Sequence, residues 1–200
     1  LLRRLRLDAH PLSRRKYPDA RTGHLDMRIP LLLAGLLLLA SDSLAAERPL
    51  ASPFPATESA AWINSPPLSL AALRGKVVLV EFWTFGCSNC RNTLPWVKAT
   101  AADYASQGLV VVGVHTPEFA YERMPAAVAR AVRDLGIQYP VMLDPDSAYW
   151  NLMHNRYWPA FYLIDRQGRI AATAIGELHH GEPRAERLEV QLRALLASPP

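Results

Sequence analysis

Two long apolar runs dominate the hydrophobic pattern of the chain. Residues 77–85 read VVLVEFWTF and residues 109–116 read LVVVGVHT, and Glu81 is the one charged residue in these runs. Neither run alternates apolar with polar residues, as a strand with one solvent face would. Both therefore predict strands that are covered on both faces, which is typical of parallel sheets.

Segments with helical spacing of their apolar residues lie between and after these strands. In residues 88–106, apolar side chains fall on one side of a helix, and Pro95 lies inside it and predicts a kink. The side chains on that side are Leu94, Val97, Ala101 and Tyr104. The other segments that predict helices are 121–136, 145–157 with Asp146 as its cap, and 182–197.

The strand pattern returns in the second half of the chain. Residues 139–144 predict a short strand, and residues 160–176 predict a hairpin with its turn at 165–168. The resulting order is β-α-β-α-β-α-β-β-α. Such an order predicts an α/β fold with a mixed central sheet that is flanked by helices on both faces.

The residues before this domain carry an export pattern. Residues 27–45 begin with Met and Arg, continue with an apolar run over 29–40, and end in small residues before a plausible cleavage point. This pattern predicts a secretory signal peptide, because the run is shorter than the roughly 20 residues that span a membrane. An uncleaved N-terminal anchor is the alternative. We expect residues 1–26 to be an upstream extension before the native start, and an extended n-region of the leader is the alternative.

The remaining residues divide into two parts of different composition. Residues 46–61 are rich in Pro, Ala and Ser and predict a tether, and residues 62–198 hold the predicted domain. Residues 1–45 contain eight Lys and Arg against four Asp and Glu, whereas residues 46–200 contain fourteen of each kind. The formal net charge of +4 therefore comes from the leader, and we expect no nucleic-acid partner.

Both cysteines of the chain lie in one short stretch, EFWTFGCSNC. Cys87 and Cys90 stand where the first predicted strand gives way to a helix. A structural disulfide across so short a loop would stabilise the fold by only about 2 kcal/mol, and a zinc site would need further Cys or paired His ligands. At a helix N-terminus, free N–H groups and the helix dipole favour a thiolate, so the position favours a redox pair.

The motifs around the pair resemble those of a known family. The stretch VVLVEFWTFGCSNCRNTLP resembles the active-site region of the thioredoxin fold, and RYWPAFYLIDRQGRI resembles its cis-proline loop and hairpin. The long segment between them is typical of the redoxin branch, which includes the TlpA- and ResA-like exported proteins. The stretches FWTFGCSNC, GVHTPEF and NRYWP are similar to the redoxin domain of DipZ-type proteins. The resemblance covers roughly 60–197 and implies a thioredoxin-like fold with a redoxin-type insertion before the cis-proline loop.

The resemblance also implies roles for the pair and for the residues behind it. Cys87 would be the nucleophile, and Cys90 would be the thiol that resolves the mixed disulfide. Glu81 occupies the position of the family's buried acid, where a partly desolvated carboxylate can take the proton of Cys90. The alternative is a Glu81 side chain that reaches solvent. Trp83 would pack beside the active site or serve only as a core aromatic.

Four further residues lie, together with Trp83, in the substrate-binding region that the resemblance implies. Pro159 would follow a cis peptide bond, and the backbone at Trp158 would pair with an incoming client strand. Trp158 is large for this place and would narrow the groove. Ser88 and Asn89 replace the Gly-Pro of thioredoxin and the Pro-His of DsbA oxidants between the two cysteines. These two residues tune the redox potential, so its value is open.

The family implies an exported thiol–disulfide oxidoreductase. We expect it to be a periplasmic monomer that reduces disulfides in client proteins. A separate membrane electron donor of the CcdA or DsbD type would recharge it. The redox-active disulfide Cys87–Cys90 is the expected redox centre, with no metal and no other cofactor.

Other functions remain open at this point. A thiol oxidase or isomerase would use the same chemistry in the opposite direction and would differ in redox potential. Thr84, three residues before Cys87, matches part of a peroxiredoxin-type peroxidase motif. A C-x-x-C pair can also bind Cu(I), as in a metallochaperone. His115 and His154 are expected to be core or loop residues rather than catalytic ones.

Overall fold

Strands and helices alternate through residues 48–199, the part of the chain that this computed structural model describes. The strands are β1 (Trp62–Ile63), β2 (Val77–Trp83), β3 (Leu109–His115), β4 (Val141–Leu143), β5 (Ala160–Ile164) and β6 (Ile170–Ile175). The helices are α1 (Ser88–Tyr104), α2 (Pro125–Asp134), α3 (Ala148–Leu152) and α4 (Pro183–Ala197), with 3₁₀ turns at Ser59–Ala61, Ala105–Gln107 and Ala120–Arg123. None of the described helices is long and apolar enough to cross a membrane. The predicted extension 1–26 and signal peptide 27–45 lie outside the described residues.

The six described strands form one mixed sheet in the order β1-β4-β3-β2-β5-β6. β2 pairs in parallel with β3, and β3 with β4. β5 is antiparallel to β2, β6 to β5, and β1 to β4. The two continuous apolar runs thus form the central strands, where both faces are covered. The predicted α/β class and mixed sheet are confirmed.

Side chains of β2 point alternately into two apolar clusters, one on each face of the sheet. One cluster contains side chains of α1, α2 and α4, and the other contains side chains of α3 and of the segment before β1. Helices therefore cover both faces, as predicted. Glu81 alternates with Leu79 and Trp83, which belong to the first cluster, so it faces α1.

Helix α1 starts directly at the cysteine pair. Cys87 is its N-cap residue with an extended backbone, and the Cys87 Sγ accepts a hydrogen bond from the N–H of Cys90 at 3.2 Å. Pro95 lies inside the helix, as predicted. The 3₁₀ turn that follows α1 ends at Gly108, whose φ of 99° is in the left-handed region that favours glycine.

The predicted helix over 121–136 is wrong in its extent, because the segment forms two separate pieces. A 3₁₀ turn ends at Arg123, and α2 begins at Pro125. Met124 between them is extended, with φ −75° and ψ 113°, because the ring of a following proline disfavours the helical conformation. The break places Glu122 in a turn rather than on the face of a long helix.

Residues 48–61 pack on the domain, although the sequence predicts a tether over 46–61. The N–H of Ala51 donates to the carbonyl oxygen of Gly168 at 3.0 Å, and Phe54 is buried. The two-residue strand β1 was also not predicted, because so short a strand has no readable alternation. The packed domain therefore begins upstream of its predicted boundary.

Helix α3 is capped by a different aspartate from the predicted one. Asp144 is buried, and its carboxylate accepts the N–H groups of Tyr149 at 2.9 Å and Trp150 at 3.0 Å. Asp146 is exposed instead, 3.7 Å from the guanidinium of Arg123. A desolvated carboxylate needs donors, and the free N–H groups of the helix start supply them.

Candidate active site at the Cys87–Cys90 pair

The two cysteines occupy different environments at the start of α1. Cys87 is half-buried, Cys90 is fully buried, and both are free thiols. Cys90 belongs to the apolar cluster under α1, whereas Cys87 borders a groove. An incoming disulfide therefore meets Cys87 first. The predicted roles of nucleophile and resolving thiol stay predictions, and this difference in exposure favours them.

Burial also controls the proton of Cys90. It raises the pKa of the Cys90 thiol far above its usual range, and the hydrogen bond to Cys87 and the charge of Glu81 act in the same direction. Cys90 therefore stays protonated at neutral pH, and it needs a base before it can attack a disulfide.

Glu81 is fully buried on the sheet face that carries α1. The hydroxyl of Tyr139 donates to Oε2 of Glu81 at 2.8 Å, and Oε1 is buried without a hydrogen-bond partner. Burial raises the pKa of Glu81 to about 7, and the Tyr139 hydrogen bond opposes this shift. The alternative in which Glu81 reaches solvent is wrong. The carboxyl group can therefore exchange a proton near neutral pH, and it lies close enough for its charge to act on Cys90.

Trp83 and His115 lie in the core behind the pair. Trp83 is fully buried in the cluster that includes Cys90, as the core interpretation expects, and its role beside the active site stays a prediction. Its ring meets the His115 ring edge-on, with centroids 5.1 Å apart. His115 Nε2 lies 3.3 Å from Oγ1 of Thr84, and burial lowers the pKa of His115 to about 4. His115 is thus a neutral core histidine at neutral pH, and His154 is exposed in a loop.

A groove of about 340 Å³ opens beside Cys87. The other residues that line it are Gly86, Ser88, Asn89, Glu118, Phe119 and Trp158. The structure therefore brings three of the predicted substrate-binding residues together with the predicted nucleophile.

Trp158 is held at the groove by two contacts. Its ring packs on that of Trp150 with centroids 4.1 Å apart, and its Nε1–H donates to the carbonyl oxygen of Thr116 at 3.0 Å. The Trp158–Pro159 peptide bond is cis, as the resemblance implies, and Pro159 itself is buried. Pairing of the Trp158 backbone with a client strand stays a prediction.

Glu122 is a residue of this region that the sequence analysis missed. It is fully buried, and its Oε1 accepts the N–H of Gly86 at 2.7 Å. Its Oε2 accepts the N–H groups of Glu118 at 2.7 Å and Phe119 at 2.9 Å. Burial acts to raise the pKa of Glu122. These hydrogen bonds, with one from the Thr84 hydroxyl, outweigh burial and hold the pKa below its usual value.

One sequence signal could have pointed to Glu122, whereas none pointed to Tyr139. Glu122 follows Phe119 at the spacing of a carboxylate that caps the N–H groups of its own turn, and Pro125 marks the break that puts it there. Tyr139 opens the motif YPVMLD, which predicts only a short strand. Nothing local in that motif connects its hydroxyl with Glu81, because β3 lies between β4 and β2 in the sheet.

The arrangement suits thiol–disulfide exchange. A half-exposed thiol at a helix start can attack, a buried thiol one turn later can resolve, and a buried carboxyl group with a pKa of about 7 can take the proton. Among residues 48–199, no group of three or more His, Cys, Asp or Glu side chains is placed to hold a metal ion.

Sequence relatives agree with this chemistry. The family model described as Redoxin matches residues 50–188. Protein DipZ of Mycobacterium tuberculosis is 47% identical over 119 residues, which are 58% of this chain and 17% of DipZ. The thiol-disulfide oxidoreductase YkuV of Bacillus subtilis is 30% identical over 114 residues, which are 57% of this chain and 76% of YkuV.

Solved structures share the fold. The crystal structure of a putative thiol:disulfide interchange protein DsbE from Chlorobium tepidum superposes with a TM-score of 0.64 at 25% identity, covering 75% of this chain and 97% of that one. The resemblance to thioredoxin-like redoxins is confirmed, although the chain spans less than a fifth of the DipZ protein that it matches. Because the Redoxin model matches more than half of its residues, this chain belongs to the Redoxin family.

Proposed function

We propose that this redoxin is an exported thiol–disulfide oxidoreductase that reduces disulfides in client proteins. The observation that carries the proposal is the asymmetry of the pair. Cys87 borders the groove, whereas Cys90 is buried near Glu81, a carboxyl group with a pKa of about 7. The name of YkuV describes the same kind of exchange in a relative. The asymmetry lets a client disulfide react at Cys87 and keeps Cys90 for the second step.

The first step is attack by Cys87. Its thiolate forms a bond to one sulfur of the client disulfide, and the other client sulfur leaves as a thiolate and takes a proton from water. The N–H of Cys90, 3.2 Å from Cys87 Sγ, and the N-terminus of α1 favour the attacking thiolate. The product is a mixed disulfide between Cys87 and the client.

Glu81 acts in the second step. Its carboxylate takes the proton of Cys90, and the Cys90 thiolate attacks the sulfur of Cys87. The second client sulfur then leaves as a thiolate, so the client has gained two electrons and the enzyme holds a Cys87–Cys90 disulfide. At pH 7 about half of Glu81 is ionised, so the base is available where it is needed.

The oxidised pair has to be reduced again before each new turnover. In this proposal the predicted signal peptide 27–45 directs the protein to the periplasm, and a membrane protein of the CcdA or DsbD type supplies the electrons. The periplasm is kept oxidising, so a reductase there depends on such a supply.

The redox potential of the Cys87–Cys90 pair tests this function. It is measured on the purified protein by equilibration with glutathione or dithiothreitol buffers. A value near that of thioredoxin, roughly −270 mV, supports a reductase. A value near that of DsbA, roughly −120 mV, would make the protein an oxidant of client thiols and overturn the proposal. The control is Cys87→Ser, which should reduce no protein disulfide.

A further inference from the structure

Glu122 joins two loops that line the groove beside the nucleophile. One loop follows β2 and carries Gly86 directly before Cys87, and the other follows β3 and carries Glu118 and Phe119. The carboxylate of Glu122 accepts backbone N–H groups from both loops, at 2.7 to 2.9 Å. A single buried side chain thus links segments that are far apart in the sequence.

We propose that Glu122 is a positioning residue that fixes the distance between Cys87 and the aromatic side of the groove at Phe119. The inference rests on the proposed function, since it concerns how a client segment reaches the nucleophile. Phe119 is 49% exposed and stacks on Tyr121 with ring centroids 5.7 Å apart. Tyr121 packs in turn on Phe85, at 5.8 Å. The link therefore positions an apolar surface together with the attacking sulfur.

The chemistry of the contact requires a carboxylate. An ionised carboxylate is an acceptor at both oxygens, and here one oxygen serves Gly86 while the other serves Glu118 and Phe119. A glutamine at position 122 has the same size, but one of its two terminal groups is an NH₂ donor. This group would face either the N–H of Gly86 or the N–H groups of Glu118 and Phe119. The loops would then have to separate, because buried donors cannot face each other without an acceptor.

Gly86 is the other half of the contact. A Cβ atom at Gly86 would overlap Oε1 of Glu122 and would lie 2.7 Å from the hydroxyl of Tyr121. Gly86 is not among the glycines with a positive φ, so the neighbouring side chains and not the backbone exclude a larger residue. Gly86→Ala should therefore separate the two loops by a second route.

The step to measure is the attack of Cys87, in a Cys90→Ser background that traps the mixed disulfide. Trapping rates are compared for insulin, a protein disulfide, and for dithiodipyridine, a small one. Glu122→Gln should slow the trapping of insulin by about 10-fold or more, because a displaced groove misaligns a bound segment. The rate with dithiodipyridine should change by less than about threefold, since a small disulfide reaches Cys87 without the groove.

Three further variants and one independent measurement complete the experiment. Gly86→Ala should reproduce the effect of Glu122→Gln, and the double variant should be no worse than either single one, because both act on one contact. Glu186→Gln makes the same chemical change at an exposed position of α4 and should change neither rate. Hydrogen exchange, followed by NMR, should show loss of protection in Glu122→Gln at three amides. These amides belong to Gly86, Glu118 and Phe119.

Equal slowing with both disulfides would show a general loss of structure and would overturn the positioning role. Unchanged rates, or unchanged protection of the three amides, would overturn it as well. Trapping needs only the attack of Cys87, so these results do not depend on the direction of electron flow. A redox potential near that of DsbA would overturn the reductase proposal and leave the result on Glu122 standing.

Discussion

Two fully buried carboxyl groups, Glu81 and Glu122, lie near the Cys87–Cys90 pair. Their pKa values are shifted in opposite directions. Glu81 accepts one hydrogen bond, from Tyr139, and its other oxygen has no partner, so burial raises its pKa to about 7. Glu122 has donors at both oxygens, and its pKa is held below the usual value although burial acts to raise it. The larger supply of donors at Glu122 outweighs its burial, whereas the single donor at Glu81 does not.

This difference separates a group that can move a proton from one that holds structure. A carboxyl group that titrates near pH 7 can take a proton from a thiol and return it. A carboxylate that is ionised throughout this range keeps its N–H partners in place. Glu81 lies on the side of the resolving thiol, and Glu122 holds the loops beside the nucleophile. Substitutions at Glu81 should therefore alter proton transfer, and substitutions at Glu122 should alter stability and the loops beside the nucleophile.

Loss of Glu122 should cost far more stability than loss of the charge of Glu81. Glu122→Ala leaves three backbone N–H groups and the Thr84 hydroxyl without this acceptor, so the free energy of unfolding should fall by at least about 3 kcal/mol. Glu81→Gln keeps an acceptor for Tyr139 and removes the cost of ionising a buried acid, so at pH 7 it should raise the free energy of unfolding, by up to about 3 kcal/mol. Urea unfolding of the reduced proteins measures both, and equal losses would contradict the comparison.

The pH dependence of stability should carry the signature of Glu81. The folded protein keeps the proton of Glu81 up to about pH 7, whereas the unfolded chain loses it near pH 4.5. Glu81 therefore contributes to stability at low pH, and this contribution is lost as the pH rises from about 4.5 to about 7. The free energy of unfolding should fall by about 3 kcal/mol in all. Urea unfolding of the wild type and of Glu81→Gln across the window isolates this term, because the variant lacks the titrating group.

His115 and Glu122 act on the same curve in the other direction. Burial lowers the pKa of His115 to about 4 from an ordinary 6.5, so the unfolded chain binds the proton first and stability is lost as the pH falls between these values. The lowered pKa of Glu122 likewise makes the protein lose stability as the pH falls. Glu81→Gln should therefore gain stability steadily as the pH rises, where the wild type has a flatter curve. Parallel curves for the two proteins would contradict the raised pKa of Glu81.

One of the two carboxyl groups could be predicted from the sequence because the motif around the cysteine pair resembles that of a known family. Glu81 lies six residues before Cys87, at the position of the family's buried acid. The donors of Glu122 come in part from a loop after another strand, and no pattern along the chain records that approach. The helical spacing of 121–136 also predicted a continuous helix that includes Glu122, whereas the helix in fact begins at Pro125.

The parts of the fold that the sequence predicts are likewise those whose burial is recorded locally, and the missed parts depend on partners that are distant in the sequence. The central strands, α1 and the hairpin were predictable because continuous apolar runs, helical spacing and turn residues record their burial within a few residues. The packing of residues 48–61 was not, because their partners lie in the distant hairpin: the N–H of Ile170 donates to the carbonyl oxygen of Pro49 at 2.9 Å. A proline-rich composition does not show whether such partners exist.

Glu81→Gln should slow resolution of the mixed disulfide by about 100-fold at pH 7 and leave the attack of Cys87 unchanged. Glutamine cannot take the proton of Cys90, whose pKa lies far above its usual range. Rapid mixing with a disulfide-linked client separates the steps, since the two client thiols are released one after the other. The attack rate, measured separately by trapping in the Cys90→Ser background, is the internal control. Equal slowing of both steps would contradict a role as base.

Tyr139→Phe should produce the smallest effect, a displacement of the pH profile. The Tyr139 hydroxyl donates to Glu81 and opposes the rise in its pKa, so its removal should move the midpoint for resolution upward from about pH 7. A hydrogen bond to a charged group is worth about 1.5–3 kcal/mol, which corresponds to a displacement of at least about one pH unit. The matched control is Tyr149→Phe, because the Tyr149 hydroxyl is buried without a partner in the cluster on the other face of the sheet. A midpoint that stays in place in Tyr139→Phe, or that moves equally in both variants, would show that this hydroxyl does not tune the base.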